Sequence, residues 1–182
     1  MDFAVLIFGW FHLQMAFANS LHKQYLGTSS SRGLKQAFEL LEQKGLARTL
    51  TKGPFHHDLD EALHHVAEAH ILKDWLVVSG AASISELRSR SPGDLQDLAT
   101  KLVQEHASSN ALDELDKLPA EKKDEQKRLL VQWNCDVLQY LVLDHVIHHG
   151  DVGLMEDMLP HLLFRFIRGQ NSKYANEILE LL

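Results

Sequence analysis

Three basic residues near the carboxyl terminus are the first whose spacing indicates chemistry. In FRFIRGQNSKYANEILELL, Arg165, Arg168 and Lys173 fall within nine residues that contain no acid, although the chain carries a formal net charge of −7. Gly169 permits a tight turn, and a helix beginning near Ser172 would present its free N–H groups beside these cations. This combination favours an anion or phosphate ligand. A basic helix end followed by an ordinary loop explains the same residues equally well.

A second group of polar residues lies in the amino-terminal stretch GWFHLQMAFANSLHKQYLGT. On a helix, His12, Asn19 and Lys23 share one narrow face, which we call the polar seam. If the polar seam faces a cleft, His12 is suited to acid–base chemistry or to hydrogen bonding. The local sequence supplies no carboxylate to accompany it, and the exposed edge of an amphipathic helix produces the same pattern.

The twelve histidines of the chain raise the question of a metal site. Glu61 and His64 form one Glu-x-x-His motif of the kind that di-iron bundles use twice, but no second copy occurs. His145, His148 and His149 are expected in the last turn of a helix, where the dipole favours imidazole. The sequence therefore predicts no metal and no cofactor. Walker, Gly-x-Ser-x-Gly, His-Glu-x-x-His and Cys-x-x-Cys signatures are also absent, so no catalytic residue is assigned.

Composition limits the class of protein. A length of 182 residues fits one domain, and 45% hydrophobic with 24% charged residues is ordinary for a globular protein. The acidic balance requires that any contact with nucleic acid be local. The single cysteine, Cys135, excludes an internal disulfide and suits a reducing compartment. Because no apolar run reaches the roughly 18 residues of a membrane span, we expect an intracellular protein, nuclear or cytoplasmic, without a membrane partner.

The elements that would position these residues are almost all helices, so the sequence predicts a mainly α fold. Hydrophobic periodicity and helix-end signals indicate about seven helices. They fall at residues 10–26, 34–44, 59–78, 92–107, 122–149, 153–167 and from about 172 to the end. The helix at 122–149 is apolar nearly all round and is expected at the centre. Asp58 and Ser91 are expected to cap the third and fourth helices.

Three further segments bear on domain organisation. Residues 3–8 read as one apolar strand without a partner strand in the chain, and the last helix stops without a capping residue. We therefore expect residues 1–182 to form a single helical domain or a fragment of a larger fold. Residues 108–124 are polar and mixed in charge, which predicts a flexible loop containing a helical piece.

Two short blocks carry a resemblance to a known family. One has the pattern Gly-x-Phe-His and the other the pattern Arg-Gly-x-x-x-x-Tyr-Ala. The matching residues are Gly9, Phe11 and His12 in the first block and Arg168, Gly169, Tyr174 and Ala175 in the second. Over essentially its whole length the chain resembles a large uncharacterised domain, catalogued as a domain of unknown function. That domain is abundant in mushroom-forming fungi, occurs also in some animals, and is longer at both ends.

The resemblance implies a protein of transposon origin with no established reaction, because genes of this family often look multicopy and mobile-element-like. The first hypothesis is a helical part of such a protein, non-catalytic by itself, whose loop at Arg165–Lys173 contacts nucleic-acid phosphates or the rest of the parent protein. The second is part of an RNase H-like transposase or nuclease whose acidic residues lie outside this chain. The third is a plain helical protein-interaction domain.

Overall fold

Helices make up nearly all of the regular structure in residues 9–27, 33–40 and 57–182, the ranges that the computed structural model describes. The mainly α fold is thus confirmed. In these ranges the helices are α1 (Trp10–Tyr25), α2 (Gly33–Leu40), α3 (His57–Ser79), α4 (Ile84–Leu87), α5 (Pro92–His106), α6 (Ser109–Asp116), α7 (Glu125–His149), α8 (Val152–Arg168) and α9 (Ser172–Leu181), with one 3-10 turn at Ala120–Lys122. The predicted strand at 3–8 and the end of the second predicted helix, 41–44, lie outside the described residues.

Two compact units divide the chain. The first combines Met1–Leu63 with Gln139–Leu182, and the second is His64–Leu138. Helices α3 and α7 contribute residues to both units because each division falls within one of them. The single domain expected from the length of the chain stays a prediction.

An aromatic cluster forms the centre of the first unit. Phe17 of α1 meets Tyr140 of α7 and Phe166 of α8 edge-on, with ring centroids 5.7 and 6.1 Å apart. Phe166 also stacks on Tyr174 of α9 at 5.5 Å. The first unit also buries, fully or nearly so, the aliphatic side chains of Leu13, Leu21, Leu34, Leu143, Leu162 and Ile178. Because α1, α7, α8 and α9 all supply rings, the cluster fixes the start of α9 and the end of α8 against α1.

The second unit buries polar as well as apolar side chains. Its apolar core consists of Val66, Ala67, Leu87, Leu102, Val131, Trp133 and Val137. Helix α7 also buries Asn134 and Asp136, each 1% exposed, in the same unit. Burial of polar groups requires hydrogen-bond partners, so this part of α7 is specified by more than the hydrophobic effect.

Local signals predicted several helix ends correctly. At the start of α5, the N–H of Asp94 donates to Ser91 Oγ at 3.1 Å and the N–H of Ser91 donates to Asp94 Oδ2 at 3.3 Å, which completes a capping box. At the end of α7, Gly150 has a φ of 66°, a conformation that glycine adopts without steric cost. Such ends depend only on neighbouring residues, and therefore sequence suffices to place them.

Two predicted helix starts need correction. α3 begins at His57, so Asp58 lies in the first turn and not at the N-cap, a position where its carboxylate still favours the helix dipole. α7 begins at Glu125 and not near residue 122. The reason is Asp124, whose carboxylate accepts hydrogen bonds from the N–H groups of Gln126 and Lys127 at 3.0 and 2.9 Å.

The segment 108–124 contains more helix than predicted. Ser108 Oγ accepts from the N–H of Ala111 at 3.1 Å and so caps α6. At the other end of α6, Asp116 holds Arg128 in a two-pronged ion pair, with Nη2 2.9 Å from Oδ2. This pair lowers the pKa of Asp116, chiefly through the hydrogen bond from Arg128. With α4, the helix α6 raises the number of helices in the described ranges above the seven expected; the predicted flexibility of the segment stays a prediction.

His22 is a titratable side chain that the first unit buries completely, at 0% exposure. Its ring stacks on Phe38 of α2 with centroids 6.0 Å apart. Neither ring nitrogen has a hydrogen-bond partner within the described part of the chain. Because a charged imidazole would lose its hydration in these surroundings, burial lowers the pKa of His22 below the usual 6.5.

We expect the free energy of unfolding to fall as the pH drops below 6.5, because the unfolded chain then binds a proton at His22 that the folded protein excludes. Above that pH the imidazole is neutral in both states and adds no pH dependence. The slope from one such histidine approaches about 1.4 kcal/mol per pH unit. His70, whose pKa burial also lowers, acts in the same direction.

Chemical denaturation of the wild type and of His22→Phe across this pH range measures the effect. The variant should keep the contribution of His70 and lose that of His22, so its stability should depend less on pH. Equal slopes in the two proteins would show that His22 is protonated in the folded state.

Candidate functional site

Residues 165–173, which we call the basic turn, join α8 to α9. Backbone hydrogen bonds close the turn: the N–H of Gly169 donates to the carbonyl of Arg165 at 2.8 Å, and the N–H of Asn171 donates to the carbonyl of Phe166 at 2.9 Å. This pattern satisfies carbonyls that the end of α8 would otherwise leave unpaired. The basic turn is therefore a defined structure built on the two helices.

Gly169 brings the basic turn into direct contact with α1. A Cβ atom at this position would overlap Ser20 Oγ and lie 3.3 Å from Ser20 Cβ and 3.2 Å from the carbonyl oxygen of Arg165. Ser20 is itself buried, at 5% exposure, so it has little room to move. Only glycine fits here, and the reason is the close approach of another helix.

Arg165 differs from the other cations of the basic turn because it is engaged within the first unit. Its Nε donates to Gln139 Oε1 at 2.8 Å, and the side chain is half-buried. An arginine held in this way adds positive potential to the surface while its orientation is fixed. Arg165 is thus held by the protein itself, and its predicted contact with an anion stays a prediction.

Arg168, Ser172 and Lys173 are exposed on the basic turn. The Lys173 side chain is 80% exposed, and its Nζ lies 4.0 Å from Glu177 one turn further along α9. Exposed pairs of this kind contribute little to stability, so the ammonium group stays available to another anion. The structure thus presents two of the three predicted cations to solvent.

The amino terminus of α9, at Ser172, falls between Arg168 and Lys173 in the sequence. Asn171 occupies the N-cap position but makes no side-chain capping hydrogen bond. By contrast, the N-cap side chains of α5, α6 and α8 each accept a hydrogen bond from a first-turn N–H group. The first-turn amides of α9 therefore remain open to an external acceptor, and the helix dipole adds positive potential there.

The polar seam of α1 has the exposure expected from its spacing, although no chemical role follows from it. His12 and Lys23 are exposed and Asn19 is half-buried. The ring of His12 lies beside that of its neighbour Phe11, with centroids 6.2 Å apart. No carboxylate pairs with His12 among the interactions of the described residues, so acid–base work by His12 stays a prediction.

A polar network in the first unit was missed by the sequence reasoning. Gln14 Nε2 donates to Asp144 Oδ1, and the hydroxyl of Tyr140 donates to Asp60 Oδ1, which ties α1 and α3 to α7. Burial, with the hydrogen bond to Asp60 second, raises the pKa of Tyr140 well above its usual range. The phenol therefore stays protonated and acts as a donor. The one sequence feature that could have predicted a buried partner for Gln14 is its polar amide within an apolar stretch of α1.

Asp144 completes this network on α7 by contacting His148. The Nδ1 atom of His148 lies 3.2 Å from Asp144 Oδ1 and 2.8 Å from the Asp144 carbonyl oxygen. Both carboxylates of the network, Asp60 and Asp144, are therefore engaged by side chains of the protein. This arrangement stabilises the packing of α1, α3 and α7, and we assign no catalytic role to it.

The second unit contains a comparable buried cluster. Asn134 Nδ2 donates to Asp74 Oδ2 at 2.7 Å and to the His106 carbonyl oxygen at 3.1 Å. His106 Nδ1 lies 3.2 Å from Asp74 Oδ1, and the Asp74 side chain is 4% exposed. The cluster joins α3, α5 and α7, and it satisfies a carbonyl at the end of α5. We interpret it as a structural anchor for these helices.

Two negative findings apply to the described ranges. No three or more histidine, cysteine, aspartate or glutamate side chains are grouped there so that together they could hold a metal ion. None of the helices there combines the length and the apolar character needed to cross a membrane.

A family model described as a family of unknown function (DUF6589) matches residues 1–182. No curated protein and no solved structure matches the chain.

Proposed function

Because the chain belongs to DUF6589, a family of unknown function, we propose its role from the geometry of the basic turn. The chain is a helical part of a mobile-element-derived protein, non-catalytic by itself, that contacts nucleic-acid phosphates through Arg168, Lys173 and the first-turn amides of α9. The observation that carries this proposal is the exposure of both cations beside a helix amino terminus without a side-chain cap.

Phosphate is the anion that this surface suits best. A guanidinium donates two parallel hydrogen bonds to phosphate oxygens, and an ammonium group supplies a second positive charge. The free N–H groups at the start of a helix donate further hydrogen bonds to the anion. Nucleic acid presents such phosphates in series. The net charge of −7 opposes binding over a wide surface, so the contact is confined to the basic turn.

The transposon origin rests on the resemblance of the two sequence blocks. Gly9 to His12 precedes and opens α1, and Arg168 to Ala175 spans the basic turn and the first turn of α9. The two blocks lie in the same unit, and Gly169 of the second touches Ser20 of the helix that the first begins.

The double substitution Arg168→Ala with Lys173→Ala should weaken binding to mixed-sequence DNA and RNA at low salt by about tenfold or more, since it removes both contacting charges. Fluorescence anisotropy over a range of salt concentrations measures the affinity. The slope of log affinity against log salt should become shallower by about 0.9 for each phosphate of duplex DNA that the variant no longer neutralises.

A matched control removes the same charge elsewhere. The control is Arg88→Ala with Lys101→Ala, because both of these side chains are exposed in the wild type. Lys101 Nζ lies 4.0 Å from Glu105 Oε1, just as Lys173 Nζ lies 4.0 Å from Glu177 Oε1. This variant should bind like the wild type. Equal losses in the two double variants, or a wild type that does not bind nucleic acid at low salt, would reject the proposal.

A helical protein-interaction domain is the second candidate. Three large apolar side chains of α8 and α9 support it, because Phe164, Ile167 and Leu179 are 70%, 58% and 62% exposed. Phe164 and Ile167 are three residues apart and so lie on neighbouring positions of one helix face, and exposed apolar residues of this kind can mark an interaction surface. A wild type without affinity for nucleic acid, whose self-association or partner binding is abolished in Phe164→Ser with Ile167→Ser, would favour this candidate.

A further inference from the structure

Two exposed histidines form a pair at the carboxyl end of α7. His145 and His149 are four residues apart, so they lie on the same face of α7, with His149 in its last turn. Their rings stack with centroids 4.0 Å apart and an angle of 30° between the planes. The end of α7 therefore presents two imidazoles side by side to solvent.

A hydrogen bond determines which nitrogen of His149 carries the proton. Its Nδ1 lies 2.8 Å from the carbonyl oxygen of His145, and a carbonyl can only accept. The hydrogen is therefore on Nδ1, and the lone pair of the neutral ring is on Nε2. Histidines that bind metals show this arrangement, in which a carbonyl holds one ring nitrogen and the ion takes the other.

The spacing of the two rings suits one metal ion. A zinc–nitrogen bond is about 2.1 Å long, so two nitrogens on one tetrahedral ion lie about 3.4 Å apart. The two rings, with centroids 4.0 Å apart, are close enough for one ion. Because the lone pair of Nε2 lies in the plane of its ring, binding requires the stacked rings to turn until both lone pairs point at the ion. The negative end of the α7 dipole favours a cation at the same place.

We propose that His145 and His149 bind one late first-row divalent cation, of the class Ni²⁺, Cu²⁺ or Zn²⁺, through their Nε2 atoms. These ions prefer imidazole ligands, whereas Mg²⁺ and Ca²⁺ prefer oxygen. The pair supplies two ligands, and the described residues offer no larger cluster. The remaining coordination positions are open to water or to an oxygen ligand from another molecule.

This proposal revises the expectation that the chain binds no metal. From the sequence, the histidines at the end of α7 are explained by the helix dipole alone. The structure adds two observations in favour of a metal ligand pair: the ring of His145 stacks on that of His149, and the Nδ1 atom of His149 is hydrogen-bonded. Neither can be read from the amino-acid composition. The proposal is independent of nucleic-acid binding, because its residues lie outside the basic turn.

Calorimetric titration of the untagged protein with Ni²⁺ and with Zn²⁺ tests the proposal. The wild type should bind in a saturable manner, and His145→Ala and His149→Ala should each weaken that binding by about tenfold or more. Substitution of residues that only support metal ligands already lowers metal affinity about 10- to 100-fold. Thermal unfolding gives a second readout, because an ion that binds only the folded state raises the melting temperature.

His148→Ala provides the matched control. His148 is exposed in the same turn, and its Nδ1 also contacts a carbonyl at 2.8 Å, but Asp144 stands four residues before it instead of a histidine. This variant should bind the ion like the wild type. The proposal is overturned if the wild type binds neither ion. It is also overturned if His145→Ala binds the ion as tightly as the wild type does.

Discussion

Replacing Phe166 by alanine should lower the free energy of unfolding by about 4 kcal/mol, since Phe→Ala substitutions in protein cores cost about 3–5 kcal/mol. Phe166 is 0% exposed and contacts the rings of Phe17 and Tyr174. Its removal leaves a cavity between α1, α8 and α9 and ends two aromatic contacts at once. Urea denaturation followed by circular dichroism measures the change.

Phe164→Ala is the matched control, because it deletes the same ring two residues earlier on α8. Phe164 is 70% exposed, so its removal should change stability by no more than about 0.5 kcal/mol. Equal costs for the two substitutions would mean that α8 does not bury the face that carries Phe166. Phe166→Ala should also weaken the proposed nucleic-acid binding, since Phe166 is the side chain that buries the basic turn in the first unit.

Gly169→Ala should lower the free energy of unfolding by about 2 kcal/mol, the usual cost of placing an extra carbon in a packed site. The backbone conformation is not the cause, because the φ of −75° at Gly169 is open to any residue. The cost comes from the overlap of the new Cβ with Ser20 Oγ. Relief of this overlap would push the basic turn away from α1, and nucleic-acid binding should weaken as well.

A double-mutant cycle identifies the atom responsible. In Ser20→Ala with Gly169→Ala the overlapping oxygen is gone and the nearest Ser20 atom is its Cβ, 3.3 Å away. The double variant should therefore recover about 1 kcal/mol relative to the sum of the single changes. Gly153→Ala is the control: its Cβ would meet nothing closer than 3.8 Å, so the substitution should be neutral or stabilising. A cycle without coupling would contradict the contact between Gly169 and Ser20.

Local signals explain most of what the sequence predicted about the fold. The capping pair Ser91 and Asp94, the turn at Gly150 and the start of α9 at Ser172 depend on residues within a few positions of each other. The same is true of the clustering of Arg165, Arg168 and Lys173. An error arose where one signal has two meanings, as at Asp58, because its carboxylate can serve as a cap or lie in the first turn.

Long-range pairs explain what the sequence could not predict. Gln14 and Asp144 are 130 positions apart, and Asp60 and Tyr140 are 80 apart, yet each pair is joined by a hydrogen bond. Helical periodicity states which face is apolar but not which helix covers it. The sequence therefore shows a polar residue on an apolar face, such as Gln14, but not the partner that explains it.

Amino-acid sequence by itself determined the helical class of this protein, many of its helix ends and the place of its basic cluster, since these follow from propensity, capping and charge along the chain. Tertiary structure alone decided which cations of that cluster face solvent. Arg165 is bonded to Gln139, 26 positions away, whereas Arg168 and Lys173 are exposed. It also decided why position 169 is glycine, because that answer lies in Ser20 on another helix. Both outcomes depend on how helices pack, which no local pattern specifies.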